Sequence, residues 1–533
     1  MTTQDSTPDA DPTEHGTGNV PPTERAFGPR FVSPMLLGAA LNPINSSVIA
    51  TALVSIAAAM HVSVGQTSIL ISSLYLTSAI AQPTAGRLSE EFGPRRVFLV
   101  GIVLVLVGGI VGGVGQDLPT LVVSRVLIGL GTSAGYPSAM LLIRRRASAI
   151  GLQSPPADVL GALAVAGAAT IAIGPTIGGL LVGWFNWRAA FLINVPVTVA
   201  AVVMALAWIP RDSDKVRGRT PREVALRIDL LGVIGFGGAM TALLVFLLSL
   251  PHPDWIALAV SVVAAAALVV WELRATNPFL DVRLLASNGV LTRTYARNGL
   301  TLLGVYVILY GLTQWIEVAH GLSAYEAGLA LIPMGVFSAI SARVASRHVR
   351  LRLSLTGSAV LLVIGAISTL FLTSHSPLAA IIVVTGVFGL ASGSSSVTNQ
   401  TALYRAAPPR TVGTASGLLR TFGYVGSIAS ATITGLVFRS HVDDTGLHTI
   451  SFILIGAGIV VLLMTVLDRG LGQRPANAAN TAAASVRTTR SPYSSGNPIQ
   501  GENNYDRLAS RPVPHSAAAD GLPTGDTRWR ARR

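Results

Sequence analysis

The sequence contains no cysteine, and only 12% of its 533 residues are charged. Without cysteine the chain has no disulfide bond, no thiolate metal ligand and no thiol nucleophile. The low charge is more informative, because about 25% of the residues of an ordinary soluble protein are Asp, Glu, Lys or Arg. Together with a mean hydropathy of +0.58, it excludes a water-soluble protein of this size.

Motifs that mark enzymes are absent as well. The sequence has no H-E-x-x-H zinc motif, no phosphate-binding loop, and no Ser, His and Asp that fall at one depth. The glycines of GLGTSAG (129–135) have the wrong spacing for a dinucleotide-binding loop and lie inside an apolar segment. We therefore predict a protein that is not an enzyme and that holds no cofactor and no metal.

Long apolar runs are what the sequence has in abundance. Half of its residues are hydrophobic, and a helix needs about 20 apolar residues to cross a bilayer core. Fourteen such runs predict an all-α integral membrane protein with lipid around it. The predicted spans are 33–57, 67–85, 97–115, 119–142, 159–183, 189–209, 230–250, 254–272, 298–318, 325–342, 353–373, 377–397, 412–438 and 448–467.

The basic residues predict the orientation, because Lys and Arg near span ends are retained in the cytoplasm. If both termini are cytoplasmic, 34 of the 38 Lys and Arg residues lie on the inner side. The net charge of +13 is then mostly a topology signal spread over loops. Nucleic acid is not expected as a partner, since a binding footprint would be one continuous basic face.

Both ends of the chain are predicted to be disordered cytoplasmic tails. Residues 1–30 are polar and lack the basic and apolar regions of a signal peptide. Residues 470–533 are basic, rich in Ala, Ser and Asn, and have no helical periodicity.

The polar stretch between spans two and three, AGRLSEEFGPRRVFLVG (85–101), has the chemistry of a charged turn. Gly93 and Pro94 make the turn, Glu90 can face a helix N-terminus, and the two arginines hold span three at the inner surface. Its pattern, G-x-L-x-(acid)-x-x-G-x-R-R, resembles the loop motif of the major facilitator superfamily, which usually has Asp at the acid. A tight loop that serves orientation alone is the alternative. We call this set the latch, and it comprises Gly86, Glu90, Gly93, Arg95 and Arg96.

Spans four and five extend the resemblance. SRVLIGLGTSAG (124–135) resembles the family's R-x-x-x-G-x-G pattern, and IGPTIGGLLVGWFNWRAAFLINVP (173–196) resembles the antiporter motif of drug exporters. Ordinary close packing of helices at small residues is the alternative for the glycines, and it can hold together with the motif. The residues assigned to helix packing are Gly129, Gly131, Gly174, Pro175, Gly178 and Gly179.

With fourteen predicted spans, the chain resembles the fourteen-span drug/proton antiporter branch of this superfamily. That resemblance implies a major facilitator fold, with two six-helix bundles and an inserted two-helix hairpin. The expected organisation is a cytoplasmic tail (1–30), the first bundle (31–209), a cytoplasmic loop (210–228), the hairpin (229–273), a second loop (274–296), the second bundle (297–469) and the basic tail (470–533).

The resemblance implies a secondary active transporter of the cell membrane. It would expel amphipathic organic compounds or drugs in exchange for protons, by alternating access. A small-molecule substrate and protons are its expected partners, whereas the oligomeric state, substrate and direction stay open. A facilitator or importer of a small metabolite, or a non-transporting membrane sensor of the same fold, is the alternative.

The expected transport pathway departs from the branch in span one, which lacks the acid that such exporters carry. In LNPINSSVIATAL (41–53) Asn45 takes its place and cannot titrate. Charged residues inside a membrane are costly, and they therefore mark functional positions. The sequence has such residues at Arg125 and, as a weaker candidate, at Arg420. A third is Glu317, which lies inside the outer part of a span, three residues before His320. Alternatively, Arg125 serves only to pack the helices, and Glu317 lies at the outer rim and has no role in transport. The predicted pathway is Arg125, Glu317, Arg420 and Asn45.

Overall fold

The structure is a computed structural model that describes residues 26–152, 156–212, 221–250, 252–276, 278–347, 350–407 and 412–472. All described residues belong to one compact unit. The predicted disordered tails, 1–30 and 470–533, lie outside the described residues except for 26–30 and 470–472. The middle of the predicted loop 210–228 lies outside them too.

The described residues form fourteen long helical segments and no strand. We number them in chain order. They are α1 Pro29–Met60, α2 Val64–Phe92, α3 Pro94–Val114, α4 Leu118–Ala149, α5 Ala157–Trp184, α6 Ala189–Trp208, α7 Leu230–Ser249, α8 Trp255–Glu272, α9 Gly289–Val318, α10 Ala324–Ser346, α11 Leu351–Thr369, α12 Leu378–Ala406, α13 Val412–Val437 and α14 Asp444–Leu467.

Twelve of the segments in the described part of the chain are long and apolar enough to cross a membrane, so the all-α membrane prediction is confirmed. The other two are α5, of which Ala169–Trp184 forms a shorter apolar helix, and α13, whose sequence carries Arg420 and many Gly, Ser and Thr residues. For these two the number of fourteen spans stays a prediction.

Helix ends follow local sequence signals. Proline, whose fixed φ suits the first turn, begins α1 and α3. The Asp117 carboxylate accepts a hydrogen bond from the Thr120 backbone N–H at 2.8 Å and caps α4. Gly93 separates α2 from α3 with φ of +96°, a backbone conformation that residues with a Cβ rarely adopt.

The apolar core includes a cluster within each half of the chain and a third cluster that contains residues of both halves. One hydrophobic cluster is built from α1, α3, α4, α5 and α6 and includes Met35, Phe98 and Ile143. Another is built from α9 to α14 and includes Trp315 and Phe388. Each half therefore has a core of its own. We call α1–α6 the first bundle and α9–α14 the second bundle.

The two bundles meet along α2 with α13 and along α5 with α10, and glycines allow the approach. A Cβ on Gly65 would lie 2.8 Å from Cα of Arg439, and a Cβ on Gly328 would lie 3.1 Å from the carbonyl carbon of Pro175. These contacts cluster where loops 61–63, 319–323 and 438–443 lie. We call this end of the molecule the closed end.

Helices α7 and α8 pack against each other as a pair. The Ser261 hydroxyl donates to the Ala239 carbonyl oxygen at 2.9 Å, and Trp271 Nε1 donates to the Asp229 carboxylate at 2.8 Å. Only 28% of the apolar window of α7 and 22% of that of α8 is buried inside the protein. Most of the surface of the pair is therefore available to lipid.

Candidate functional site

Arg125 lies at the centre of the first bundle, with 1% of its surface exposed. Its Nε donates to the Leu70 carbonyl oxygen at 3.0 Å, and its Nη1 donates to the Asn45 carbonyl oxygen at 3.1 Å. Nη2 is buried without a hydrogen-bond partner. Arg125 thus joins α4 to α1 and α2. Its Nη2 group has no acceptor, although leaving a buried donor without a hydrogen bond costs free energy.

Asn45 is buried between α1 and α6. Its side-chain amide exchanges two hydrogen bonds with that of Asn194, at 2.7 and 2.8 Å. The sequence analysis placed Asn45 in the transport pathway as the replacement for an acid. The structure places its side chain in a helix–helix contact and its carbonyl oxygen on Arg125, so Asn45 acts on Arg125 through the backbone.

A cluster of tyrosines lies where the bundles meet, and the sequence analysis missed it. The hydroxyls of Tyr75 in α2 and Tyr310 in α9 are 3.0 Å apart, and Tyr310 donates to the Ser46 carbonyl oxygen at 2.9 Å. The Tyr75 ring centre lies 5.2 Å from that of Tyr306 and 5.7 Å from that of Tyr424. Tyr306 and Tyr310, one helical turn apart in an apolar span, were the only sequence signal for it.

Arg420 in α13 reaches across to the first bundle. Its guanidinium carbon lies 3.6 Å from the centre of the Tyr136 ring of α4, a cation–π contact. One turn further along α13, the Tyr424 hydroxyl donates to the side-chain oxygen of Gln82 in α2. The structure thus brings Arg420 and the tyrosine cluster to the same interface between bundles.

Glu317 is the residue before the last of α9, at the closed end. Its Oε1 is buried without a hydrogen-bond partner. The neighbouring side chains are engaged elsewhere: Trp315 donates to Asp444 at 2.9 Å, and the His320 ring lies 2.8 Å from the Ser376 carbonyl oxygen. No ion pair links Glu317 to Arg125 in the described residues, so the structure does not bring these two predicted pathway residues together.

The latch lies at the opposite end, between α2 and α3. Glu90 is exposed and lines a cleft of about 240 Å³ together with Arg87, Arg227 and Asp281. Gly86 has ordinary room, since an added Cβ would lie 3.7 Å from the Pro137 side chain. No hydrogen bond or ion pair joins Glu90 to α13 in the described residues.

Asp212, which the sequence analysis did not single out, completes the latch. Its carboxylate accepts hydrogen bonds from the backbone N–H groups of Arg95 at 3.3 Å and Arg96 at 2.9 Å. A Cβ at Gly93 would overlap this carboxylate. Asp212 therefore caps the N-terminus of α3 from a position 117 residues further along the chain.

The second bundle contains a buried ion pair that the sequence analysis also missed. Asp468, at the end of α14, has a fully buried side chain that lies 2.9 Å from Arg293 Nη2 and 3.7 Å from Arg297 Nη1. Arg297 also donates through Nε to the Asn399 side chain at 2.9 Å. The predicted start of this span, at 298, left Arg297 outside the membrane, whereas α9 begins at Gly289.

The glycines assigned to helix packing lie in close contacts. A Cβ on Gly129 would lie 2.9 Å from the Thr77 side chain, and one on Gly131 would lie 2.8 Å from the Val105 backbone nitrogen. Gly174 and Gly178 face the polar side chains of α1 at Ser47 and Thr51. Pro175 and Gly179 contact α10 of the second bundle instead, so this motif serves both the first bundle and the interface between bundles.

Comparison with known proteins gives a consistent result. Residues 35–431 match the Major Facilitator Superfamily. The uncharacterised MFS-type transporter YwoD of Bacillus subtilis is 32% identical over 82% of this chain and 96% of its own length. The tetracenomycin C resistance and export protein of Streptomyces glaucescens is 29% identical over 76% of this chain and 75% of its own. The crystal structure of the nucleoside transporter NupG has a similar fold, with a TM-score of 0.58, 10% identity, and coverage of 83% of this chain and 100% of its own.

Proposed function

The chain belongs to the major facilitator superfamily and is a multi-pass membrane transporter rather than an enzyme, and from this premise we propose that it expels amphipathic organic compounds from the cell by alternating access. The observation that carries this proposal is the interface between the bundles. Glycine contacts hold the closed end together, and the tyrosine cluster and Arg420 lie further in. A relative named for resistance to and export of an antibiotic supports the direction of transport.

Alternating access requires that the contacts at the closed end separate while contacts at the opposite end form. Close packing of backbone at Gly65, Gly328 and Gly435 suits this requirement, because it depends on shape and involves few hydrogen bonds that would have to break. The same interface contains polar side chains that can exchange partners as the bundles move.

Uptake into energised inside-out vesicles tests the proposal. We expect accumulation of an amphipathic compound that stops when an ionophore collapses the proton gradient. Entry that ends at equal concentrations inside and outside the vesicle, and that an ionophore does not affect, would indicate the facilitator. The absence of transport for every compound in a broad screen would indicate a non-transporting sensor.

The arrangement of the spans belongs to the same proposal. The proposed topology places both termini in the cytoplasm. This arrangement puts 34 of the 38 Lys and Arg residues on the cytoplasmic side, as expected for a membrane protein. Fourteen spans then comprise two bundles of six and the inserted pair α7 and α8. In this topology the closed end faces the outside, so that the interface between bundles is reached from the cytoplasm.

For the latch, we expect Glu90→Gln to slow transport several-fold without a change in substrate affinity. The reason is position: Glu90 lies at the end opposite the closed end, where contacts must form in the outward-facing state, and far from the tyrosine cluster. Initial rates and equilibrium binding measured on the same preparation check this. Glu223→Gln, a second exposed acid near the same end, serves as the matched control. Unchanged rates in Glu90→Gln would leave the latch with a role in topology alone.

For proton coupling, we expect Glu317→Gln to abolish efflux driven by a pH gradient while downhill exchange survives. Coupling needs a group that gains and loses a proton, and Glu317 has a buried carboxylate oxygen that no hydrogen bond engages. Glu326→Gln is the control, because Glu326 serves in a capping box with Ser323 that glutamine also completes. A normal gradient response in Glu317→Gln would remove this residue from the mechanism.

A further inference from the structure

The long helices contain arginines at depth but no acid at depth. Every Asp and Glu of the described helices lies within three residues of a span end, at the membrane boundary or beyond it. Three arginines, by contrast, are the eighth or ninth residue of their helices: Arg125 of α4, Arg297 of α9 and Arg420 of α13. In the long helices of the described part of the chain, the charges furthest from the span ends are therefore these three arginines.

The three arginines differ in how their charge is compensated. Arg297 lies 3.7 Å from the buried Asp468 carboxylate. Arg125 is enclosed by backbone carbonyl oxygens of its own bundle. Arg420 is only half-buried and has no carboxylate partner among the described residues, and its recorded contacts are with tyrosines. Of the three, Arg420 is the cation that a ligand can reach.

The surroundings of Arg420 are aromatic and come from both bundles. Tyr136 of the first bundle lies beneath the guanidinium, and Tyr404 and Tyr424 of the second bundle lie near it. Tyr404 is 49% exposed, so this group reaches the surface of the protein. We call Arg420, Tyr136, Tyr404 and Tyr424 the arginine–tyrosine patch. Its arginine lies about 22 Å along α13 from Gly435 of the closed end, at 1.5 Å per residue.

We propose that the arginine–tyrosine patch binds aromatic organic anions, and that this is the substrate class of the transporter. Tyrosine rings stack on a flat aromatic ligand, and the guanidinium donates paired hydrogen bonds to a carboxylate, sulfonate or phenolate. A cationic ligand at the same place would meet an arginine that has no carboxylate partner among the described residues to offset the repulsion. The proposal rests on the transport function proposed above and adds the sign of the substrate's charge.

Two dyes with the same ring system and opposite charge test it: fluorescein, an anion, and rhodamine 123, a cation. The full-length protein is placed in lipid nanodiscs, and binding of each dye is followed by fluorescence polarisation. We expect fluorescein to bind at least about tenfold more tightly, the effect of one charge-assisted hydrogen bond or more. Arg420→Gln should remove most of that preference, whereas Arg420→Lys, which keeps the charge, should retain part of it.

Arg343→Gln is the matched control, because Arg343 is an exposed arginine near the end of α10. It should leave the affinities for both dyes as in the wild type. Size-exclusion profiles of all variants report whether each is folded. Equal binding, tighter binding of rhodamine 123, binding of neither dye, or a fluorescein preference that survives in Arg420→Gln would overturn the proposal.

A transport measurement separates this proposal from the proposed function. Energised inside-out vesicles that take up rhodamine 123 but not fluorescein would leave the proposed export function in place and overturn the substrate class. Vesicles that take up neither dye, while fluorescein binds in an Arg420-dependent manner, would support the site and count against efflux.

Discussion

Arg125→Ala is expected to lower the transport rate by about 100-fold or more. The guanidinium makes two hydrogen bonds to buried carbonyl oxygens, of Leu70 and Asn45, and hydrogen bonds to charged groups contribute about 1.5–3 kcal/mol each. Their loss lets α4 shift against α1 and α2, and it removes the unpaired Nη2 donor. Since about 1.4 kcal/mol corresponds to a factor of ten, a 100-fold effect needs only part of this energy.

Two further variants separate the roles of Arg125. Arg125→Lys keeps the charge but cannot bridge two carbonyl oxygens in the same fork geometry, so we expect partial activity. Arg188→Ala, which removes an arginine near the closed end of the same bundle, should transport at the wild-type rate. Initial rates in proteoliposomes, normalised to folded protein, are the measurement. A folded Arg125→Ala variant with full activity would show that Arg125 has no role in the pathway and serves packing alone.

Asp468→Asn is expected to produce the largest loss of stability, about 3–5 kcal/mol, the cost of breaking a buried ion pair by removing one partner. The carboxylate is fully buried between Arg297, which is also buried, and Arg293, whose side chain is 43% exposed. Asparagine keeps the shape but leaves both guanidinium groups without an acid. Thermal unfolding in detergent should therefore show a lower melting temperature than the wild type.

The control for this variant is Asp443→Asn. Asp443 caps α14 by accepting a hydrogen bond from the Gly446 N–H at 2.8 Å, and asparagine caps a helix about as well as aspartate. We expect it to melt like the wild type. Equal melting temperatures for Asp468→Asn and the wild type would mean that the pair contributes no net stability, as can occur when the desolvation cost equals the attraction.

Helix α9 begins earlier in the structure than the sequence predicts. The apolar run predicted a span from 298, but the helix begins at Gly289 and carries Arg293 and Arg297 into the protein. Hydropathy ends a span at the first charge, because a charge alone is costly in lipid. The acid that compensates these arginines, Asp468, lies about 170 residues further on, so that no local pattern could reveal the pairing.

In the latch, too, some features follow from the local sequence and others only from the tertiary structure. Its turn, its glycine with positive φ and its arginines follow from residues 86–96 alone, since turn chemistry is local. Its cap does not, because Asp212 comes from a loop after α6. Likewise the intramembrane Arg125 could be singled out from the sequence as a costly charge, but its partners are backbone carbonyl oxygens that carry no sequence signal.

The sequence by itself determined that this chain is a helical membrane protein, where most of its helices lie and to which superfamily it belongs. Length and apolarity decide these properties, because each helix satisfies its own backbone hydrogen bonds and needs only a run of apolar residues to enter lipid. The tertiary structure alone decided which polar groups meet: Asn45 with Asn194, Tyr75 with Tyr310, and Arg420 with Tyr136. These contacts join residues from different helices, and their geometry depends on how the helices pack, which hydropathy does not encode.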